Sequence, residues 1–179
     1  PLDPKGLGAD KVLHEDNILW AIQEASRVVG DTDSPDLWRA IMLRSLIHLV
    51  GDAHQPLHCV SRYSVHQPDG DRGGNDMPIF DGDRRHRNLH LLWDDLLGLY
   101  PRVQPEGKRW RVQLPQIIDP LLVRIPAEEP PILDPETWAE EGRVLARDAV
   151  YDGIRFEASP STAYLERGRG VVDQQLARA

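Results

Sequence analysis

Two segments of the sequence each place a histidine four residues ahead of an aspartate, His48 before Asp52 and His90 before Asp94. Residues four apart lie on the same face of an α-helix, so each pair can reach one cation if its segment is helical. Zinc accepts both imidazole nitrogen and carboxylate oxygen as ligands. His58 follows the first pair after a proline-stiffened turn, which can aim it back toward the same cavity. The spacing therefore favours two helices that meet around a metal site.

The two histidine–aspartate pairs also allow a simpler interpretation. A histidine and an aspartate at helical spacing can form a surface ion pair, which contributes roughly a few tenths of a kcal/mol. Two copies and a further histidine favour metal ligands instead. The neighbours of His48 point the same way, because a histidine and an aspartate buried among apolar residues need a compensating partner, which a metal ion provides. Those neighbours are Leu46, Ile47, Leu49 and Val50.

The composition is that of one ordinary globular domain. Of the 179 residues, 40% are apolar and 28% are charged, so the chain can bury a sizeable core. The net charge of −8 argues against a broad basic face that binds many phosphates, although bound cations can supply local positive charge. A single cysteine, Cys59, excludes an internal disulfide and a zinc–thiolate cluster. No apolar run reaches transmembrane length, and we expect a monomer without a membrane partner.

Helical periodicity dominates the sequence. Apolar residues recur at helical intervals, and the Gly, Pro, Asp and Ser residues between these runs are typical of caps and loops. We therefore predict an all-α fold, an irregular multi-helix bundle that forms a single domain. The prolines between residues 102 and 133 allow only short helical pieces there. The predicted helices cover residues 16–29, 36–52, 88–99, 134–151 and 161–179.

Local features refine this prediction. Asp16 should cap the first helix and Gly30 should stop it. Residues 53–87 are rich in Gly, Pro, Asp and Arg, and we expect a long functional loop with at most a short hairpin near MPIF. The second helix should present one apolar face to the core, made of Leu37, Ala40, Ile41, Leu43, Ile47 and Val50.

Some residues invite a functional interpretation that their context does not favour. His54 lies off the helical face of the first pair and should be exposed or outside the metal's ligand shell. His14 and the basic segment 81–87 are better explained as solvated loop residues. Cys59 is expected to be buried filler, and Trp93 should pack behind the metal ligands. Core positions are predicted for the tryptophans, Trp20, Trp38, Trp93, Trp110 and Trp138.

Three segments together, HLVGDAHQPLH from His48, DRGGND from Asp71 and NLHLLWDD from Asn88, resemble the fungal single-strand-specific nuclease family. These trinuclear-zinc nucleases and 3′-nucleotidases share their fold with bacterial zinc-dependent phospholipase C. The order, spacing and context of the motifs match the family's pattern, and the similarity continues into the last two predicted helices. Family members extend further at both ends, so we expect the N- and C-terminal parts of the family domain to be missing from this chain.

The resemblance implies a set of zinc ligands. His48 and Asp52 would bind a first zinc, and Asp52, the implied catalytic residue, would bridge to a second zinc close by. His58, His90 and Asp94 would hold the remaining zinc. The family's other ligands precede these motifs and have no match here. Of the three zinc ions in an intact domain, this chain should therefore hold the one at His58, His90 and Asp94 best.

The function that the resemblance implies is hydrolysis of single-stranded DNA, RNA and 3′-nucleotides by a hydroxide that bridges two zinc ions. Gly73 and Asn75 would line the nucleobase pocket, with Asn75 hydrogen-bonded to a base edge. Family members are secreted or periplasmic. The alternatives are a zinc-dependent phospholipase C, a non-catalytic helical zinc-binding module, and a helical protein whose histidine–aspartate pairs are surface ion pairs.

Overall fold

The computed structural model describes residues 17–65, 67–80, 82, 87–100, 110–124 and 132–179. Within these ranges the chain is helical, and β-structure is limited to isolated bridges. The predicted all-α, irregular bundle is therefore confirmed. The α-helices are α1 (Ile18–Gly30), α2 (Asp36–Ala53), α3 (Leu89–Asp94), α4 (Trp110–Arg124), α5 (Pro135–Leu145) and α6 (Thr162–Arg178). Shorter turns of helix are the 3₁₀ segments Pro56–Cys59 and Leu96–Gly98 and the π-helical segment Ala146–Val150.

Helix α1 begins one residue later than the sequence suggested. The Asn17 side chain accepts hydrogen bonds from two backbone N–H groups of the first turn, at 2.9 and 3.1 Å. The prediction that Asp16 is the cap is therefore wrong, because Asn17 already satisfies those N–H groups. Gly30 is the last residue of the helix. Ile22 and Ala25 of this helix are buried.

Helix α2 packs through a different face from the one predicted. Leu37 is 72% exposed and Ile47 is 68% exposed, so the predicted stripe is wrong at these positions, whereas Val50 packs against the core as predicted. The helix is apolar on more than one side, and periodicity alone cannot tell which side meets a neighbour. The packing residues lie at helical spacing near its C-terminal end and join a small core cluster with Ile22 and Trp138. They are Leu46, Leu49, Val50 and Ala53.

The main core lies beneath α3, between the long loop and α6. At its centre, Trp93 is 2% exposed and Tyr164 is 1% exposed. The Trp93 indole N–H donates to the Tyr164 hydroxyl at 2.8 Å, and that hydroxyl donates to the Val150 carbonyl at 2.7 Å. Side chains from distant segments are thus joined in one buried network. The cluster consists of Leu57, Met77, Ile79, Leu89, Leu92, Trp93, Leu97, Val150, Ile154, Tyr164 and Val172.

Replacing Tyr164 by Phe should lower the free energy of unfolding by about 2 kcal/mol. The hydroxyl both accepts from Trp93 and donates to Val150, so its loss leaves two buried polar groups without that partner. Urea unfolding would measure the effect. The matched control is Tyr100→Phe, whose hydroxyl donates to Asp173 in a partly buried setting and should matter less. Equal losses in the two variants would contradict the buried network.

The predicted helix over residues 88–99 ends early. Helix α3 stops at Asp94, and the next turn contains residues of left-handed conformation, Leu96 with φ 50° and Leu97 with φ 59°. Such backbone is costly for leucine. Leu97 is buried in the main core, and the free energy gained by this burial offsets the backbone strain. The reversal directs the chain away from α3, so that Asp94 is the last residue of that helix.

The region from residue 102 to 133 contains a longer helix than predicted. Helix α4 continues through Pro115 and Pro120, so the expectation of short pieces is wrong for residues 110–124. Each proline removes one hydrogen bond, yet its fixed φ of about −65° is itself helical. Residues 101–109 and 125–131 lie outside the described part of the chain. The two prolines therefore lower the stability of this helix but do not terminate it.

The C-terminal helices follow the prediction closely. Asp134 caps α5 by accepting the Thr137 N–H at 3.1 Å, and Ser161 caps α6 by accepting the Tyr164 N–H at 3.1 Å. In the long loop near MPIF, the described residues form isolated bridges, Pro78 with Asn88 and Ile79 with Ala158, rather than a hairpin. A search of the described residues found no helix with the length and apolar character that a membrane span requires.

Candidate metal centre

Three side chains from two helical elements converge on one point. His58 lies on the 3₁₀ segment Pro56–Cys59, and His90 and Asp94 lie one turn apart on α3. The His58 Nε2 atom is 3.1 Å from Asp94 Oδ1, and the His90 Nε2 atom is 3.4 Å from Asp94 Oδ2. One ligand atom from each residue lies within 4.8 Å of the others. The predicted meeting of these three residues is therefore seen in the structure.

The separations fit a zinc ion. Zinc with nitrogen and oxygen ligands at about 2.0–2.2 Å in tetrahedral geometry holds those ligand atoms about 3.4 Å from one another. The observed separations of 3.1 and 3.4 Å are close to that value. Two imidazoles and one carboxylate are also the donor set of many catalytic zinc sites, which keep a fourth position for water or substrate. The three residues therefore match a zinc site in their chemistry, and the two separations that involve Asp94 are close to those of zinc ligands.

The orientation of the His90 ring supports the same conclusion. Its Nδ1 atom lies 2.8 Å from the Gly73 carbonyl oxygen, which can only accept a hydrogen bond. Nδ1 therefore carries the proton, and in the neutral ring Nε2 has a lone pair. That lone pair faces the Asp94 carboxylate, so two acceptors oppose each other. A cation between them resolves the conflict, as in zinc sites whose histidines are oriented by a backbone carbonyl.

The centre is partly open to solvent. The side chains of His58 and His90 are 23% and 17% exposed, whereas that of Asp94 is 39% exposed. The two imidazole rings are stacked, with centroids 5.0 Å apart and an interplanar angle of 8°. The two rings form one side of the centre, and the Asp94 carboxylate is the part most exposed to solvent. The side of the centre nearest Asp94 is thus the most accessible to solvent.

The charges within the centre are coupled. The hydrogen bond to Asp94 raises the pKa of His58 above its ordinary value. Burial by itself would raise the pKa of Asp94, but hydrogen bonds from His58 and Gln55 outweigh burial and leave that pKa lowered. Asp94 is therefore a carboxylate at neutral pH, which is the form that binds a metal. A proton on His58 occupies the position that a metal would take.

His48 and Asp52 lie next to this centre. The His48 Nε2 atom is 3.3 Å from Asp52 Oδ2, as the helical spacing predicted. Asp52 also turns toward the centre, with its Oδ1 atom 3.7 Å from His58 Nδ1. The His48 side chain is 75% exposed, so the expectation that it is buried among its apolar neighbours is wrong. The structure thus brings Asp52 to the edge of the three-residue centre and leaves His48 on its outer side.

The loop that contains Gly73 and Asn75 borders the centre beside His90. Gly73 is buried with φ 64°, and its carbonyl accepts the hydrogen bond from His90. The Asn75 side-chain amide donates to the Arg72 carbonyl at 3.0 Å and is partly exposed. The structure therefore gives Gly73 a role that the sequence did not suggest, which is to orient the His90 ring.

Several expectations about neighbouring residues need correction. His54 is only 2% exposed: its ring lies 4.8 Å from that of Trp138, and its Nδ1 atom is 2.8 Å from the Val50 carbonyl oxygen. The expectation of an exposed side chain is wrong, because His54 caps the C-terminal end of α2 and its ring folds back against the core. His14 lies outside the described residues, as does the segment 81–87 apart from positions 82 and 87.

Two of the tryptophans are buried and three are exposed, whereas the cysteine is of intermediate burial. Trp93 and Trp138 are buried, as predicted. The core prediction is wrong for the others, because the elements that carry them pack through other faces. Cys59 is partly buried beside Gly142, and burial raises the pKa of its thiol to about 11. The exposed tryptophans are Trp20, Trp38 and Trp110.

Sequence reasoning overlooked Gln55. Its side chain accepts the Leu57 N–H at 2.5 Å and donates to Asp94 Oδ1 at 2.9 Å. The local signal was present, since Gln55 precedes a proline at the first position of a helical turn, where a capping residue is expected. Its link to Asp94 could not be read from the sequence, because the two residues are 39 positions apart.

Comparison with known proteins assigns the family. The model of one protein family, described as S1/P1 Nuclease, matches residues 4–179. No curated protein matches the chain. S1/P1 nucleases are all-α hydrolases that use zinc, which agrees with the helical bundle and with the centre at His58, His90 and Asp94. Because the match spans nearly the whole sequence, the chain belongs to the S1/P1 nuclease family.

Proposed function

We propose that the protein is a zinc-dependent phosphodiesterase that hydrolyses single-stranded DNA and RNA and acts on 3′-nucleotides. The observation that carries this proposal is the convergence of His58, His90 and Asp94 at zinc-ligand spacing on one partly open face. Membership of a nuclease family supports the substrate class. The net charge of −8 makes cations necessary for binding a polyanion, because the chain has no excess of basic residues.

The residues of the site divide into metal ligands and substrate contacts. His58, His90 and Asp94 would hold one zinc, and His48 with Asp52 would contribute to its neighbours. Zinc held there supplies positive charge that polarises a phosphate ester and lowers the pKa of a water molecule. The Asp52 position supports its role as the catalytic carboxylate, since it is partly exposed beside His58. The family is typically secreted, and we propose a secreted or periplasmic location.

The protein's own groups then act on the substrate by position. The rings of His58 and His90 close one side of the centre, so a phosphate approaches from the exposed side of Asp94. Asn75 is partly exposed on the adjoining loop and can turn its amide toward a base edge. The Gly73 carbonyl accepts a hydrogen bond from His90, and Gly73 lies in the same loop as Asn75. We therefore assign Gly73 and Asn75 to the substrate-binding side of the centre.

The test is metal-dependent hydrolysis by the purified protein. Elemental analysis should find zinc, and EDTA should abolish cleavage of a labelled single-stranded oligonucleotide, with recovery on adding zinc. A duplex of the same sequence and vesicles of phosphatidylcholine serve as alternative substrates. Preference for the vesicles would favour the phospholipase C alternative. Zinc that binds without any hydrolysis would favour the non-catalytic module, and cleavage that persists in EDTA would overturn the proposal.

Zinc affinity should weaken as the pH falls. The proton on His58 must leave before that imidazole can bind a metal, and the hydrogen bond to Asp94 raises its pKa above the ordinary 6.5. Competition between proton and zinc therefore begins at higher pH than for an isolated histidine. Below that pKa the affinity should fall about tenfold per pH unit for each displaced proton. Chelator competition between about pH 5 and 8 would show this, and a constant affinity would contradict it.

A further inference from the structure

Gln55 uses both ends of its side-chain amide. The amide oxygen accepts the backbone N–H of Leu57 at 2.5 Å, and the amide nitrogen donates to Asp94 Oδ1 at 2.9 Å. A backbone N–H can only donate, so the oxygen must face Leu57 and the nitrogen must face Asp94. The amide orientation is thus determined by its partners. Only this orientation satisfies both contacts.

This side chain links the two elements that supply the centre. Gln55 caps the 3₁₀ segment that carries His58, and it also contacts the carboxylate at the end of α3. Its backbone is extended, with φ −83° and ψ 114°, and the following Pro56 favours that conformation. The backbone of Gln55, from which the side chain reaches Asp94, is therefore conformationally restricted. The contact therefore links the segment that carries His58 to the helix that carries Asp94.

The contact with Asp94 matters most when a metal is bound. Asp94 Oδ1 lies within hydrogen-bond distance of both His58 Nε2 and Gln55 Nε2. A histidine that binds a metal through Nε2 can no longer donate from that atom. Among the hydrogen bonds of the described residues, the one from Gln55 then remains on Asp94. Hydrogen bonds of this kind orient ligating carboxylates and commonly tune the affinity of the site.

We infer that Gln55 is a positioning residue of the zinc centre, which holds the Asp94 carboxylate at the spacing that zinc requires. The inference rests on the proposed metal site. Gln55 itself touches neither substrate nor metal in this assignment. Its effect should therefore appear in metal affinity and in the geometry of the bound metal, rather than in the folding of the metal-free protein.

The test uses Gln55→Asn in the full chain. An asparagine can still accept the Leu57 N–H, because asparagine is a favoured helix cap, but it is one methylene too short to reach Asp94. Zinc affinity is measured by chelator competition, and the melting temperature of the zinc-free protein is measured alongside. The visible spectrum of the Co²⁺-loaded protein reports on ligand geometry. Ser161→Ala, which removes the remote cap of α6, is the control for a general loss of stability.

Gln55→Asn should bind zinc about 10- to 100-fold more weakly. Its zinc-free melting temperature should stay within about 1 °C of the parent, and its cobalt spectrum should change. Ser161→Ala should lower the melting temperature by about 3 °C and leave zinc affinity unchanged. Unchanged affinity in Gln55→Asn, or equal weakening in Ser161→Ala, would overturn the positioning role. If the parent protein bound no zinc, the proposed function would fail first, so the two failures are distinguishable.

Discussion

Replacing Asp94 by Asn should reduce hydrolysis of single-stranded DNA by about three orders of magnitude. The substitution keeps the shape of the side chain and removes the negative charge that lies 3.1 Å from His58 Nε2 and 3.4 Å from His90 Nε2. Two imidazoles without the carboxylate hold zinc weakly. Initial rates and bound zinc should be measured on the same preparation, so that loss of metal and loss of activity can be compared.

The matched control for this experiment is Asp148→Asn. The Asp148 side chain is 54% exposed and pairs with Arg147 at the surface, so its loss should leave activity within about twofold. A second test replaces both His90 and Asp94 by Ala, which should leave no metal-dependent cleavage. Retention of more than a tenth of the parent activity by either active-site variant would show that the centre is not the catalytic one.

Replacing Gly73 by Ala should destabilise the protein by about 3 kcal/mol and weaken zinc binding. Gly73 has φ 64°, and an added Cβ would lie 2.3 Å from the Leu57 carbonyl oxygen. That neighbour is backbone, which cannot rotate away as a side chain could. The loop must therefore shift, and the Gly73 carbonyl would no longer fix the His90 ring. Urea unfolding and zinc titration would measure the two effects separately.

Gly170→Ala provides the comparison for Gly73→Ala. Gly170 lies in α6, where an added Cβ meets nothing within 4 Å, so alanine should be neutral or stabilise the protein by up to about 1 kcal/mol. Zinc affinity should not change in this variant. If Gly73→Ala kept both full stability and full zinc affinity, the loop would not be the support of His90 that its geometry indicates.

The helical parts of the candidate site were predictable because they depend on local geometry. Residues four apart share a helix face, so the pairing of His48 with Asp52 and of His90 with Asp94 followed from spacing alone. The position of His58 against α3 did not, because 36 residues of chain separate His58 from Asp94. The repeated pairs favoured a common metal site with His58 nearby, and the grouping of His58 with His90 and Asp94 was implied by the family resemblance. Loop residues determine the position of His58 against α3, and the conformation of the loop depends on long-range contacts that a periodic sequence pattern does not reveal.

Two errors have the same physical origin as the overlooked Gln55. Helix α2 is apolar on several sides, and its contact with α1 and Trp138 selects one of them, which left Leu37 and Ile47 exposed. His54 was expected in solvent, yet the same contact buries its ring against Trp138. Gln55 acquired its second partner in the same way. In each case a neighbour distant in sequence decided the environment of the residue.

Sequence alone determined the all-α class, the approximate helices and the residue types able to hold zinc, because helix formation and ligand chemistry depend on residues close together in the chain. Tertiary structure decided which helix faces are buried and which carbonyl orients His90. It also decided that the Gln55 amide donates a hydrogen bond to Asp94. These features depend on packing between segments that are distant in the sequence, which residues close together in the chain do not determine.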